Sequence, residues 1–89
     1  MKVAWADDAL NDVERHISYV SQFNPTAAAA LARQLLEAGN TLKLFPHRGR
    51  PGSEPGTREM VAVHPYVVVY EIGRDTLVVL RVWHGALQG

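Results

Sequence analysis

The residues of this chain best suited to chemistry lie in the apolar run LRVWHG, where Arg81, Trp83 and His84 follow one another. The imidazole of a histidine has an ordinary pKa of about 6.5, which suits it to proton transfer near neutral pH. The guanidinium of an arginine can bind a phosphate or a carboxylate through two hydrogen bonds. Because Arg81 interrupts an apolar run, we expect it to pair with a carboxylate of this chain or of a partner.

The elements that position these residues can be predicted from periodicity and from turn residues. The first half of the chain contains a predicted strand over Lys2–Trp5 and a predicted helix over residues 7–22. A second helix begins at Pro25, is capped by Asn24 and continues through LKLF. A proline- and glycine-rich loop, FPHRGRPGSEPGT, follows, and then come the strands TREMVAV, YVVVYEI and TLVVLRVW. We therefore expect one α+β domain over residues 1–89, with an N-terminal strand, an antiparallel helical hairpin and a three-stranded antiparallel meander.

Side chains alternate along each strand, so the predicted sheet has two different faces. One face is aliphatic, and we expect it to pack on the helices; its members are Val61, Val63, Val67, Val69, Val78, Leu80 and Val82. The other mixes arginines and aromatic residues with aliphatic ones, namely Arg58, Met60, Ala62, Tyr66, Val68, Tyr70, Ile72, Leu77, Val79, Arg81 and Trp83. A large apolar face with charges at its rim is typical of a binding surface, so we expect a partner to cover this second face.

Charge and composition exclude several functional classes. Nine basic residues balance nine acidic ones, which argues against a nucleic-acid binder, and we expect no sequence-specific DNA binding by this chain. The chain has no cysteine, and its four histidines lack metal-ligand spacing, so we expect no metal and no cofactor. We find no apolar run of about 20 residues and no secretory signal, which predicts a cytoplasmic protein without a membrane partner.

Six motifs follow one another along the chain: W…DDAL.D, Y(V)…NP.AA, L..FP.RGRP, TREMV, PYVVVYEI and LRVWHGA. Together they resemble the RelE/ParE toxin superfamily of bacterial type II toxin–antitoxin systems, and the resemblance looks closest to its ParE-like branch, often labelled plasmid stabilisation proteins. It covers nearly the whole chain. It implies a compact α+β toxin and a cognate antitoxin, made by the neighbouring gene, that lays an extended or helical segment across the toxin.

The resemblance leaves two targets open. ParE-like toxins bind DNA gyrase and block it without acting as nucleases, whereas RelE-like toxins cleave mRNA on the ribosome. Zero net charge and the lack of a lysine in the predicted meander favour gyrase, in which case no residue is catalytic. In the alternative, an mRNA endoribonuclease, Arg58 and Arg81 would bind the phosphate and His84 would move a proton, assisted by Glu59 or Tyr70. A degenerate toxin that only binds its antitoxin is a third alternative.

Seven residues are expected to contact the target or the antitoxin: Arg50, Arg58, Met60, Tyr70, Arg81, Trp83 and His84. Several have a purely structural alternative. Arg58 and Glu59 could form an ion pair at a strand edge, Arg81 could pair with Glu71 or Glu59, and His84 could end its strand. We expect replacement of Arg81 by alanine to abolish growth arrest and leave the fold intact. The tail after Gly85 is expected to be ordered mainly by the antitoxin.

Overall fold

The computed structural model describes residues 1–85, which form two helices on one face of a five-stranded sheet. In chain order the elements are β1 (Lys2–Trp5), α1 (Asp7–Ser21), α2 (Pro25–Thr41), β2 (Arg50–Pro51), β3 (Thr57–Val63), β4 (Tyr66–Ile72) and β5 (Thr76–His84). The strand order is β1-β5-β4-β3-β2, with β1 parallel to β5 and all other neighbours antiparallel. The predicted α+β fold and its meander are confirmed, and the short β2 is an addition. The predicted ordering of the tail after Gly85 concerns residues outside those described.

Helix α2 begins where the sequence predicts it and ends earlier. The Asn24 side chain accepts the N–H of Ala27 at 3.0 Å, and Pro25 occupies the first turn, where its missing N–H costs nothing. The helix ends at Thr41, and the next residues continue as tighter turns. Pro46 disfavours helical backbone geometry at Phe45, the residue before it, so a regular helix cannot continue to the end of LKLF.

Gly39 marks the place where α2 contacts β1. A Cβ atom at this position would lie 2.3 Å from Cζ2 of Trp5, so the indole ring can lie against the helix only because residue 39 is glycine. The group nearest to Gly39 outside its own helix is the Trp5 ring. Trp5 thereby fastens the edge strand β1 to α2.

The core lies between the helices and the sheet face that the sequence assigned to a partner, so that assignment is wrong. The sheet contributes Met60, Tyr66, Val68, Tyr70, Leu77, Val79 and Val82, and the helices contribute Ala9, Val13, Leu31 and Leu35. Most of the valines that were predicted to be core residues face away from the helices.

A β-bulge at Leu80 exchanges the two faces within β5. The register between β4 and β5 skips Leu80. Because side chains alternate, one extra residue moves every later side chain to the opposite face. Arg81 and Trp83 consequently lie on the face without helices, whereas Val82 and His84 lie on the helix-covered face.

Candidate functional site

A buried carboxylate, that of Asp12, joins α1 to β5. Its residue is 1% exposed. Arg81 donates to it twice, from Nε at 2.7 Å and from Nη2 at 3.0 Å, and Arg15 donates from Nη2 at 2.7 Å. Burial opposes the ionisation of Asp12, but the hydrogen bonds from Arg81, from the Val82 N–H and from Arg15 outweigh it and hold its pKa below the ordinary value. Arg81 is therefore neutralised by its own chain.

Two side chains of α1 complete the hydrogen bonding of β5 beyond the end of β1. The pairing of β1 with β5 stops at Val79. Further along β5, the Val82 N–H donates to Asp12 at 2.9 Å. His16, one turn after Asp12 on α1, lies with Nε2 2.8 Å from the Val82 carbonyl, to which it must donate because a carbonyl only accepts. The helix thus takes the place of a neighbouring strand along this part of β5.

His84 is half-buried on the helix-covered face. Its ring lies edge-to-face with that of Tyr66 at 5.2 Å, and the His16 ring contacts the same tyrosine at 5.0 Å. Burial, followed by the nearby Tyr19 hydroxyl, raises the pKa of Tyr66. The phenol of Tyr66 therefore stays neutral across the physiological range, between two imidazoles.

The loop between α2 and β3 is held from beneath by Tyr70 and Arg58. The Tyr70 residue is fully buried, and its hydroxyl donates to the Pro46 carbonyl at 2.7 Å and accepts the Gly49 N–H at 2.9 Å. Arg58 donates from Nη1 to the Gly49 carbonyl at 2.6 Å. A Cβ atom at Gly49 would lie 2.6 Å from the Tyr70 hydroxyl, so glycine is required for this close approach. A short turn is thus fixed by two side chains of the sheet.

We call residues 43–51 the arginine loop. It presents two apolar side chains to solvent, because Leu44 is 69% exposed and Phe45 is 62% exposed. Its four basic or titratable side chains are also exposed, namely Lys43, His47, Arg48 and Arg50. Among residues 1–85 the one ion pair of this loop joins Arg50 to Glu59 at 3.4 Å, and the loop itself contains no Asp or Glu. The loop is therefore a positively charged, partly apolar protrusion with a fixed backbone.

The sheet face without helices, which we call the open face, is largely aliphatic. The strand register and the bulge place on it Val61, Val67, Val69, Val78, Leu80 and Trp83, of which Val69 is buried by its neighbours. None of these six side chains belongs to the core cluster beneath the helices. The register places Glu59 and Glu71 on the same face. An apolar surface with two carboxylates and the paired Arg81 is suited to a protein partner and poorly suited to phosphate.

A groove of about 320 Å³ lies between α2 and β3, lined among others by Glu37, Thr41, Arg48 and Val61. Strand β2 pairs only with the start of β3, at residues 58 and 59. In the part of the chain that the structure describes, the rest of this β3 edge has no neighbouring strand. Such an edge can accept an extended segment of another protein through backbone hydrogen bonds.

The structure does not bring the seven expected contact residues together. Arg58 and Tyr70 fix the arginine loop from below, and Arg50 is exposed on it. Met60 and Tyr70 are buried in the core, and Met60 also lines the groove between α2 and β3. Trp83 lies half-buried on the open face, whereas His84 lies on the opposite face, as strand alternation predicts.

Arg81 forms the internal salt bridge that the sequence left as an alternative, but its partner is Asp12 rather than Glu59 or Glu71. Replacement of Arg81 by alanine would leave Asp12 buried without its main counter-charge, and we therefore no longer expect that variant to keep its stability. Arg58 forms no ion pair with Glu59, whose carboxylate lies near Arg50 and the Ser53 N–H instead.

Sequence reasoning missed Asp12, His16 and the exposed pair Leu44 and Phe45. A signal was present for the first two, because they are spaced by four residues beside the apolar stripe of α1. For Leu44 and Phe45 the apolar pattern gave the wrong prediction, because apolar residues that continue a helical stripe are ordinarily assigned to the core.

Within residues 1–85 we find no group of three side chains that could hold a metal ion. In the same part of the chain, no helix has both the length and the apolar character required to cross a bilayer.

Comparison with known proteins adds a family to this geometry. Residues 3–88 match the family described as the ParE toxin of the type II toxin–antitoxin system parDE. The chain is 35% identical over 85 residues to the Toxin RelE2 of Caulobacter vibrioides, covering 96% of each protein. It is 33% identical over 88 residues to the Putative toxin Y4kP of Sinorhizobium fredii, covering 98% of this chain and 91% of that one.

Among solved structures, a chain of the chromosomal ParDE toxin–antitoxin system from P. aeruginosa superposes with a TM-score of 0.86. The alignment covers 94% of this chain and 95% of that one, at 19% identity. At that identity the likeness establishes the fold.

Proposed function

This chain belongs to the ParE toxin family of type II toxin–antitoxin systems, and on that premise we propose that it arrests growth in the cytoplasm by blocking DNA gyrase. Membership of the family implies an antitoxin partner. We propose gyrase, rather than ribosome-bound mRNA, as the target of the toxin. The protein then acts by binding and carries out no reaction of its own.

The observation that supports this proposal is the separation of the groups that a nuclease would need. Cleavage of RNA by its 2′-hydroxyl requires a proton-transferring group and cations around one phosphate. Arg81 is paired with Asp12, Arg58 donates to the Gly49 carbonyl, and His84 lies on the opposite sheet face from Arg81. These three groups do not surround a common point at which a phosphate could bind.

Two surfaces fit the antitoxin. The open face offers an aliphatic area with Trp83, and the β3 edge beside the α2 groove offers unpaired backbone groups. An extended antitoxin segment could add to that edge while an apolar helix covers the sheet. We propose these two surfaces as the site of neutralisation.

The direct test is a DNA gyrase supercoiling and cleavage assay with antitoxin-free protein. We expect loss of supercoiling and accumulation of linear DNA that carries covalently bound gyrase. Premixing with the antitoxin should abolish both effects, and a heat-unfolded sample should have none. Folded protein that arrests growth but leaves gyrase unaffected would overturn the gyrase proposal.

The alternative target is mRNA on the ribosome, for which the name of the Caulobacter relative and the half-buried His84 are the supporting observations. A translation reaction with purified ribosomes distinguishes it, because cleaved mRNA appears only when the ribosomal A site is open to the toxin. If induced expression without antitoxin allows normal growth, the chain is a degenerate toxin that only binds its antitoxin.

A further inference from the structure

We propose that this toxin binds its target through the arginine loop, residues 43–51. The complementary site on the target is an acidic protein surface with an apolar pocket. The inference rests on the chain acting as a toxin on a protein target. It does not depend on that protein being gyrase.

The first argument is the fixed backbone of the loop. A loop that is already ordered loses little conformational entropy on binding, which favours affinity. Here the order comes from side chains that point up from the sheet: the Tyr70 hydroxyl bridges the Pro46 carbonyl and the Gly49 N–H, and Arg58 holds the Gly49 carbonyl. A buried tyrosine and a strand arginine thus hold the turn between Pro46 and Gly49, directly before the short strand β2.

The second argument is the kind of side chain that the loop exposes. Leu44 and Phe45 are consecutive and mostly exposed, although burying them would stabilise an isolated protein. Apolar and aromatic side chains of this kind act as anchors when they enter a pocket on a partner.

The third argument is the positive charge of the loop, which favours an acidic partner. Lys43, Arg48 and Arg50 carry three positive charges within eight residues, with no acidic residue in the loop, on a chain of zero net charge. A cluster of this sign on a neutral protein favours an acidic surface and steers the encounter with it.

The arginine loop lies beside the surfaces proposed for the antitoxin and overlaps one of them at Arg48. Leu44 and Phe45 line neither the open face nor the α2–β3 groove, which are the surfaces proposed for the antitoxin. Arg48, in contrast, lines the groove and hydrogen-bonds toward Thr41 at its rim. An antitoxin seated in the groove would therefore cover one side of the loop and block the target without contacting the apolar anchors.

The test compares two loop variants with matched controls outside the loop. Leu44→Ser/Phe45→Ser removes the anchors, and Tyr19→Ser/Phe23→Ser removes an equally exposed pair, 64% and 73% exposed, at the connection between the helices. Arg48→Glu reverses a loop charge, and Arg33→Glu reverses an exposed charge on α2. Each variant is assayed for thermal unfolding, for affinity to the antitoxin encoded by the neighbouring gene, and for growth arrest under graded induction.

We expect Leu44→Ser/Phe45→Ser and Arg48→Glu to raise the expression needed for growth arrest by about tenfold or more. The controls should arrest growth as the unmodified protein does, and the serine pair in the loop should bind antitoxin normally. Equal toxicity of loop variants and controls would overturn the proposal. Parallel loss of toxicity and antitoxin binding by the serine pair would also overturn it, by assigning the loop to the antitoxin.

A nucleic-acid target is the remaining outcome, and fluorescence anisotropy with single-stranded RNA and duplex DNA detects it. If the unmodified protein binds either one, and Arg48→Glu but not the serine pair weakens that binding and the toxicity together, the loop recognises phosphate and the proposal fails. Because toxicity is scored without reference to gyrase, a negative supercoiling assay would leave this test intact.

Discussion

The carboxylate of Asp12 accepts the backbone N–H of Val82 at 2.9 Å, at a point along β5 where the neighbouring strand β1 has already ended. His16, on the same face of α1, donates to the carbonyl of that valine. One residue of β5 therefore has both backbone groups satisfied by helix side chains rather than by a strand. This relationship fixes how α1 lies against the sheet, and it places Arg81 beside Asp12.

The Asp12–Arg81 pair should contribute strongly to stability. Replacing Asp12 by asparagine leaves Arg81 without its counter-charge and should lower the free energy of unfolding by about 3 kcal/mol, the low end for a buried ion pair because the Arg81 side chain is 39% exposed. Urea denaturation measures this change, and Asp7→Asn, on the exposed first turn of α1, is the control. If Asp12→Asn/Arg81→Gln costs as much as the two single changes added together, the two groups are not coupled.

The Asp12 carboxylate should also make the free energy of unfolding depend on pH. The pKa of Asp12 is lowered by folding from its ordinary value of 3.8, so the folded state binds this proton less readily than the unfolded chain. Its contribution to stability is complete above pH 3.8 and is lost as the pH falls through the lowered pKa. The difference in unfolding free energy between the unmodified protein and Asp12→Asn should therefore shrink in acid, and a difference that grows instead would contradict the ion pair.

Removal of the Tyr70 hydroxyl should loosen the arginine loop without disturbing the core. Tyr70→Phe keeps the buried ring but leaves the Gly49 N–H and the Pro46 carbonyl without their partner, at a cost of about 1–3 kcal/mol. Amide hydrogen exchange should accelerate at Gly49. Tyr19→Phe, which removes an exposed hydroxyl, should change neither quantity, and protection at Gly49 that survives Tyr70→Phe would show that another group holds the turn.

Addition of a methyl group at position 39 should displace the indole ring of Trp5. Gly39→Ala places a Cβ atom 2.3 Å from the indole, and we expect a loss of about 1–3 kcal/mol despite the better helix propensity of alanine. Differential scanning calorimetry measures the effect. Asn40→Ala, at the exposed neighbouring position, should be neutral or stabilising, and Trp5→Leu/Gly39→Ala should recover part of the loss if the indole is the obstacle.

His84 distinguishes a binding toxin from a nuclease. If the toxin acts by blocking its target, His84→Gln should arrest growth at the same level of induction as the unmodified protein, because no proton transfer is involved. Graded induction without antitoxin measures this, with circular dichroism as the check that the variant folds. Loss of arrest in a folded variant that still binds antitoxin would instead point to mRNA cleavage with His84 as the acid or base.

The elements, their order and the family could be predicted from the sequence alone. The family rests on the resemblance of six motifs spread along nearly the whole chain. For the elements, local signals suffice: Asn24 and Pro25 set the start of α2, proline and glycine mark the loop before β3, and residue alternation marks the meander. Each of these signals acts through neighbours within a few residues, so no knowledge of the packed chain is needed to interpret them.

The tertiary structure decided which face of the sheet is covered and what each charged group does. Alternation divides a strand into two faces but does not say which one the helices cover, and the bulge at Leu80 then exchanged the faces for Arg81 and His84. Asp12 and Arg81 lie 69 residues apart in the chain. Their pairing, like the hold of Tyr70 on the arginine loop, exists only because folding removes these groups from water and brings distant partners within hydrogen-bonding distance.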